Sequence, residues 1–285
     1  MRLVMFKHAH KEGIAAESND GELRGFTSDN DGYPGDIDTL VQTSADLQTV
    51  GRALLDGERF DREEITFLPV VRRPRKILCV GLNYVDHSLE AGFTPPDYPT
   101  IFGRFATTLI GHNQPIVRPP VSIELDYEGE VAAIIGKGGR NIPMDEALSH
   151  VAGYSIFNDA SIRDYQWKSP QWTMGKNFDA TGALGPVMVT ADELPAGCAG
   201  LKLETRLNGK TVQSASVDEM IFSIAQQIVI MSEVMTLQPG DLIATGTPAG
   251  VGMAREPKLW MKAGDVVEVE LEGVGVLRNP VIDGA

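Results

Sequence analysis

Between Ile123 and Ile135 the chain reads Ile-Glu-Leu-Asp-Tyr-Glu-Gly-Glu-Val-Ala-Ala-Ile-Ile, an acidic alternation that runs straight into an apolar core segment. Side chains two apart on a β-strand share a face. Glu124, Asp126, Glu128 and Glu130 therefore point the same way if the strand is regular. Like charges on one face repel. A divalent cation reverses the sign of that interaction, and carboxylate oxygens are hard ligands suited to Mg²⁺, Mn²⁺ or Ca²⁺. Gly129 lies between Glu128 and Glu130, the two strongest candidates. A glycine inside a strand marks a bulge or a close approach by a ligand or another backbone. The competing reading is a solvated acidic edge strand, and spacing alone leaves both open.

The chain has 285 residues, enough for one large domain or a large and a small one. Its net charge of −14 argues against nucleic acid or an anionic membrane as the main partner. An anionic small molecule would need local Arg, Lys or metal. Cys79 and Cys198 form no motif and read as reduced core thiols of a cytoplasmic protein. Met1 to His10 is too short and mixed for a signal peptide. The apolar stretch near Ile228 is interrupted by Gln226, Gln227, Ser232 and Glu233, so no membrane span is expected.

Residues 1–73 read as a small α/β module. Arg2 to Phe6 is a strand, and Gly13 to Gly25 holds another with Asn19-Asp20-Gly21 as a hairpin turn. Leu40 to Leu55 has an amphipathic helical pattern, and Phe67 to Val71 is a strand. The basic, proline-broken Val71-Arg72-Arg73-Pro74-Arg75-Lys76 is the expected boundary with a second domain, 74–285. That domain opens with the buried strand Ile77-Leu78-Cys79-Val80. A helix follows Asn83 and places His87 and Glu90 at i and i+3. A carboxylate beside an imidazole raises its basicity and orients it, as a general base requires. The alternative is an ordinary surface pair. Ala91 to Thr100, with Gly92, Pro95, Pro96 and Pro99, is a loop, either a lid over a site or a connector. Arg104 offers a bidentate grip on a carboxylate, or is simply an exposed charge.

Met144 to His150 is read as a short helix and Val151 to Phe157 as a strand. At the strand exit Asp159 is placed either to cap a helix or to act as a third oxygen ligand. Arg163 and Gln166 follow at helical spacing and can face an anion. Lys176 sits in a polar loop. Asn208-Gly209 is a hairpin turn after the strand Leu201 to Leu207. The capping box Ser216-Val217-Asp218-Glu219 is expected to open a helix carrying Ile221, Ile224, Ile228, Met231 and Met235. Leu242 to Ala244 is a buried strand running into Thr245-Gly246-Thr247-Pro248-Ala249-Gly250-Val251-Gly252. That segment lacks the Gly-Lys-Ser/Thr ending of a phosphate loop, but its N–H groups and Thr247 can hold a carboxylate. Val266 to Val281 is strand-rich.

In this order, Gly81-Leu82-Asn83-Tyr84 with His87 and Glu90, Asp126-Tyr127-Glu128-Gly129-Glu130, Phe157 to Gln166, and Pro239 to Pro248 with Gly250-Val251-Gly252 resemble the fumarylacetoacetate hydrolase family from Ile77 onward. The resemblance implies an α+β, β-rich fold with a mixed β-roll core, a homodimer, and a bound Mg²⁺ or Mn²⁺. It puts metal ligands on Glu128, Glu130 and Asp159, and a catalytic dyad on His87 and Glu90. Arg163, Gln166, Lys176 and Thr247 match substrate-lining positions, with Lys176 counted among the catalytic groups. Asp126 is left with a supporting or surface role. Many small members of the family have lysine where this chain has Arg104, and the two are not equivalent donors.

The expected activity is metal-dependent hydrolysis of a C–C bond in an acylpyruvate or related 1,3-diketo acid. A cation that polarises a 2-oxo acid serves several reactions, so the alternative is a decarboxylase or isomerase of oxaloacetate-like acids from an aromatic-degradation pathway. A scaffold without chemistry is disfavoured by the intact His87, Glu90, Glu128, Glu130 and Asp159.

Overall fold

The computed structural model describes residues 1–18 and 20–285. Asn19 of the expected hairpin turn lies outside the described residues. Its flanking strands, Lys11–Glu17 and Leu23–Thr27, pair antiparallel.

A mixed twelve-stranded sheet forms the centre. From one edge it runs Glu58–Phe60, Leu23–Thr27, Lys11–Glu17, Arg2–His8, Gly182–Thr190, Val151–Asp159, Gly129–Ile135, Leu242–Ala244, Ile77–Gly81 and Thr100–Arg104. Two short strands, Thr66–Phe67 and Leu109–Ile110, pair with Arg2–His8 and Gly182–Thr190. A five-stranded sheet packs on one face: Lys210–Ser216, Lys202–Leu207, Val266–Leu271, Gly275–Asp283 and Ile116–Arg118. The architecture is α+β and strand-rich.

The apolar run Val131 to Ile135 is explained by cover on both faces, the condition under which strands lose hydrophobic alternation. Val131, Ala133 and Ile135 join the core shared with Val267, Val269 and Leu271 of the second sheet. Ala132 and Ile134 point the other way, into a core with Ile37, Leu40, Val41 and Leu54. Those last residues belong to helices of the first 73 residues. Leu3 and Met5 join the same core, and Arg2–His8 pairs with Gly182–Thr190. The N-terminal module thus extends the central sheet and shares its core.

Some local expectations shift. The single helix expected from Leu40 to Leu55 is two, Ile37–Gln42 and Leu47–Leu54. Asp46 caps the second by accepting from the N–H groups of Gln48 and Thr49, and Ser44 turns between them with φ +55°. Met144 to His150 forms only a 3₁₀ turn, Ala147–His150. The box at Ser216 closes one 3₁₀ turn, Val217–Glu219, and a second box, Ser223 with Gln226, opens the helix Ile224–Val234. Between them Ile221 and Phe222 donate their N–H groups to Asn83 instead of continuing a helix.

Candidate active site

The acidic alternation does not run as one strand. Leu125–Asp126 pairs with Ser161–Ile162 in a small ribbon, and regular pairing resumes in the central sheet at Gly129, opposite Asn158. The change of partner splits the four acids. Glu124 stays half-buried outside both ladders. Asp126 turns into a separate buried network, and Glu128 and Glu130 converge. The register that sets Gly129 against Asn158 brings Asp159 beside Glu128, whose carbonyl accepts from Asp159 N–H at 2.9 Å. Oxygens of Glu128, Glu130 and Asp159 lie within 4.8 Å of one another, all three residues buried.

Gly129 is required here by a close approach. A Cβ on it would lie 2.1 Å from Thr205 Oγ1 and 2.9 Å from a Val269 methyl of the second sheet. The acids stand where the two sheets meet.

Three cations attend the acids. Lys176 Nζ lies 2.6 Å from Glu128 Oε2 and 2.7 Å from Asp159 Oδ2. Arg163 Nη2 lies 2.6 Å from Glu128 Oε1, an ion pair without a well-aligned N–H. Arg104 Nη1 pairs with Asp159 Oδ1. Against the upward push of burial, Arg163 and Lys176 hold the Glu128 carboxyl well below the usual range. Glu130 differs. It makes no ion pair among the described residues, and the Gly246 N–H at 2.9 Å is its hydrogen bond. Burial, then the charges of Asp159 and Glu128, push its carboxyl well above the ordinary range. A buried carboxylate left without a cation, beside two others with hard oxygen donors, is a donor set that fits a divalent ion.

Glu128 and Glu130 line a cleft that encloses about 420 Å³ including its open mouth, with Asp159 buried beside them. His87, Glu128, Glu130, Arg163, Gln166, Lys176 and Thr247 all line it. His87 Nδ1 lies 2.9 Å from Glu90 Oε1. Glu90 also accepts from Gly250 N–H at 2.8 Å, so it acts on this bond as an acceptor. That makes Nδ1 the donor and leaves Nε2 as the free acceptor of the ring. Glu90 stands behind His87.

Other expected positions are placed differently. Arg104 is absent from the cleft wall; its guanidinium is enclosed behind Asp159 and also reaches Ala160 O at 3.1 Å and Thr181 Oγ1 at 2.7 Å. Those acceptors draw it away from any substrate carboxylate. Asp159 caps no helix, since Arg104 and Lys176 occupy both its oxygens. Arg163 is also held by protein groups, Nε to Asp126 at 2.9 Å and Nη1 to Gln166 Oε1 at 2.9 Å. The Gln166 Nε2 donors remain for a ligand. The Thr247 hydroxyl donates to Gly129 O at 3.0 Å and accepts from Gln213 Nε2 at 2.8 Å.

Asp126 is fully buried and accepts from Gly252 N–H at 2.7 Å, Met253 N–H at 3.0 Å and Arg163 Nε. It ties Arg163 to the Gly250-Val251-Gly252 loop, while Glu90 ties the His87 helix to the same loop. Sequence reading also missed an aromatic wall opposite the acids. Phe93 stacks on Trp167 at 6.2 Å, Trp167 meets Trp172 edge-on at 6.0 Å, and Trp172 meets Phe102 at 5.5 Å. The available signal was the pair Trp167 and Trp172 bracketing a short polar turn. Phe93 comes from the proline-rich loop after the dyad.

The model of the fumarylacetoacetate (FAA) hydrolase C-terminal domain matches residues 76–282. The chain belongs to the fumarylacetoacetate hydrolase family. The human protein named oxaloacetate tautomerase FAHD2A, mitochondrial, is 40% identical to it, covering 99% of this chain and 92% of its own length. The structure of fumarylacetoacetate hydrolase from psychrophilic Exiguobacterium antarcticum superposes with TM-score 0.85 at 33% identity, covering 100% of both chains. Maleylpyruvate hydrolase from Sphingobium sp. SYK-6, solved with manganese(II) and pyruvate, superposes with TM-score 0.82 at 27% identity, again over 100% of both chains.

Proposed function

We propose that this protein is a divalent-cation-dependent enzyme for small 2-oxo acids and that its reaction is the keto–enol conversion of an oxaloacetate-like diacid. The carrying observation is that His87, oriented by Glu90 and with no hydrogen bond to Nε2 among the described residues, lines the same cleft as Glu128 and Glu130. The 40% identity over nearly the whole chain to a named oxaloacetate tautomerase moves this reading ahead of hydrolysis.

Glu128, Glu130 and Asp159 would hold Mg²⁺ or Mn²⁺, which lowers the cost of negative charge on the substrate's ketone oxygen. His87 Nε2 takes a proton from the carbon next to that ketone. The C–H electron pair becomes the C=C bond, and the ketone oxygen takes up the charge and then the proton that the His87 imidazolium gives back, which restores the base. Glu90 holds Nδ1–H and stabilises the imidazolium that forms. The Gln166 amide donates to a substrate oxygen, and Lys176 balances the substrate's carboxylate. The aromatic wall excludes water from the transfer.

The test follows the ultraviolet decay of the enol form of oxaloacetate on metal-free protein, with and without added Mg²⁺ or Mn²⁺. Metal-dependent acceleration that disappears in His87→Ala is the expected result. Equal decay with and without the protein would overturn it.

The second reading is C–C bond hydrolysis of an acylpyruvate. It is favoured by the likeness to a hydrolase solved with manganese and pyruvate. Here His87 deprotonates a water instead of carbon, and pyruvate release from an acylpyruvate panel separates the two.

We further propose a homodimer working in the cytoplasm. Cys79 and Cys198 are both free and buried, which suits a reducing compartment, and no described helix is long and apolar enough to cross a membrane. The sheet edges at Lys210–Ser216 and Thr100–Arg104 offer strands for a partner to cover. A sedimentation mass of a single chain at micromolar concentration would count against the dimer.

A further inference from the structure

We propose that Arg104 is a positioning residue that leaves Asp159 one oxygen, the one Lys176 can yield, for a cation, and that this makes the cation site select Mg²⁺ or Mn²⁺ over Ca²⁺. The inference rests on the cation reading above.

The argument starts from an asymmetry repeated at all three acids. Asp159 Oδ1 is taken by Arg104, and Oδ2 by Lys176 at 2.7 Å. Glu128 Oε1 is taken by Arg163 at 2.6 Å, and Oε2 by Lys176 at 2.6 Å. Glu130 Oε2 takes the Gly246 N–H at 2.9 Å, and its Oε1 has no hydrogen bond among the described residues. Each carboxylate thus has one oxygen fixed by a rigid group. The other is either free or held by the single ammonium that Glu128 and Asp159 share.

The fixed oxygens and the shared ones differ in what can let go. Lys176 is a point charge on a flexible four-carbon stem and can withdraw from an arriving cation. Arg104 cannot. Its side chain is 0% exposed, as is that of Asp159. Nη1 also donates to Ala160 O, Nη2 to Thr181 Oγ1, and Nε reaches Thr108 Oγ1 at 3.4 Å. Its central carbon lies 5.5 Å from the Phe157 ring centroid. A Cβ on Gly182 would come within 3.2 Å of Nη2, so even the backbone beneath is shaped around it. Moving the guanidinium off Asp159 would strand a buried charge.

Asp159 therefore offers a cation Oδ2 alone. Ca²⁺ takes six to eight oxygens and commonly completes its shell with bidentate carboxylates. Mg²⁺ needs fewer, in near-octahedral order. A site whose acids cannot chelate with both oxygens penalises the larger ion.

The experiment is calorimetric titration of the metal-free full chain with Mn²⁺, Mg²⁺ and Ca²⁺. The variants are Arg104→Lys, which keeps the charge and loses the planar fork, and Thr181→Val, which removes one anchor of the fork without touching a carboxylate. The wild type should bind Mn²⁺ at least about 10-fold more tightly than Ca²⁺. In Arg104→Lys that ratio should narrow by about 5-fold or more, with a smaller change in Thr181→Val. Simple loosening of the site would weaken every ion alike and leave the ratio unmoved. A Mn²⁺/Ca²⁺ ratio unchanged in both variants, or near one in the wild type, overturns the proposal while the cation site stands. Absence of Mn²⁺ binding in the wild type overturns both. If Arg104→Lys fails to melt cooperatively, the Thr181→Val ratio decides.

Discussion

His87 and Glu90 stand 2.9 Å apart, Nδ1 to Oε1, and the Glu90 carboxylate is fixed in turn by backbone N–H groups of Gly250 at 2.8 Å and Val251 at 3.4 Å. The imidazole is oriented by a carboxylate that a loop, not solvent, holds still. The three acids form a separate unit on the central sheet. Proton transfer and cation binding should therefore be separable by mutation.

His87→Ala should lower kcat about 10²–10⁴-fold, the usual loss when a general base is removed. Its Mn²⁺ dissociation constant should stay near that of the wild type, since His87 is no part of the acid cluster. Glu90→Gln keeps an acceptor for Nδ1–H and loses the charge, so its kcat should fall between the two. Turnover measured beside calorimetric Mn²⁺ affinity checks both. A His87→Ala enzyme with wild-type kcat would remove the base from the reaction.

The buried Asp126 should prove structurally costly to remove. It accepts from Arg163 and from the loop at Gly252 and Met253. Asp126→Ala leaves the Arg163 Nε and the backbone N–H groups of Tyr127, Gly252 and Met253 unpaired in a dry interior. Breaking a buried pair from one side costs about 3–5 kcal/mol. Urea unfolding of the metal-free protein should show a loss of that order, whereas Glu124→Ala, on a half-exposed residue, should change little. Because the donors Asp126 leaves behind are buried, the loss should exceed what a solvent-exposed pair would give.

Much of this arrangement was legible in the order of residues. The i, i+3 spacing of His87 and Glu90 survives because a short helix, Val85–Glu90, opens at Tyr84 shortly after the strand Ile77–Gly81 ends. The run Val131 to Ile135 is a strand buried on both faces. Placing Asp159 beside Glu128 needed the register between two strands, which depends on a partner about thirty residues away. Arg104 misled for the same reason: its residue type suits a substrate carboxylate, but its tertiary neighbours are Asp159, Ala160 and Thr181. Asp126 shares its spacing with Glu128, and only the change of strand partner at Tyr127 separates their roles. The aromatic wall joins Phe93, Phe102, Trp167 and Trp172 from three segments, a convergence no local periodicity reports.

Gly129→Ala should test the meeting of the two sheets. Its new Cβ would sit 2.1 Å from Thr205 Oγ1, far inside contact distance. Overpacking of this kind costs about 1–3 kcal/mol. Pairing it with Thr205→Ala removes the clashing hydroxyl and leaves the Val269 methyl at 2.9 Å, so the double variant should recover part of the loss. A double-mutant cycle by thermal unfolding measures the coupling, and strict additivity would mean the sheets adjust without contact.

The last prediction concerns Glu130 and pH. Burial, reinforced by Asp159 and Glu128, raises its folded-state carboxyl well above the ordinary 4.5. In the unfolded chain that carboxyl titrates near the ordinary value. Folding therefore favours the protonated acid. The stability this contributes is fully present below the unfolded pKa and is lost as pH rises through the folded one. For the metal-free protein, Glu130→Gln should then gain on the wild type as pH rises from about 5 to about 8, because the amide cannot ionise. The slope of that difference is bounded at about 1.4 kcal/mol per pH unit. A divalent cation reverses the sign, since it binds the carboxylate and competes with the proton. Mn²⁺ at about 100 times its dissociation constant stabilises by about 2.7 kcal/mol, and at fixed Mn²⁺ this gain should grow with pH in the wild type. In Glu130→Gln the gain should be much smaller and flatter. Urea unfolding across that pH range, with chelator or with Mn²⁺, measures all four curves. A metal-free difference that does not change with pH would mean Glu130 keeps one protonation state throughout, and the cation would then have to displace Lys176 without displacing a proton from Glu130.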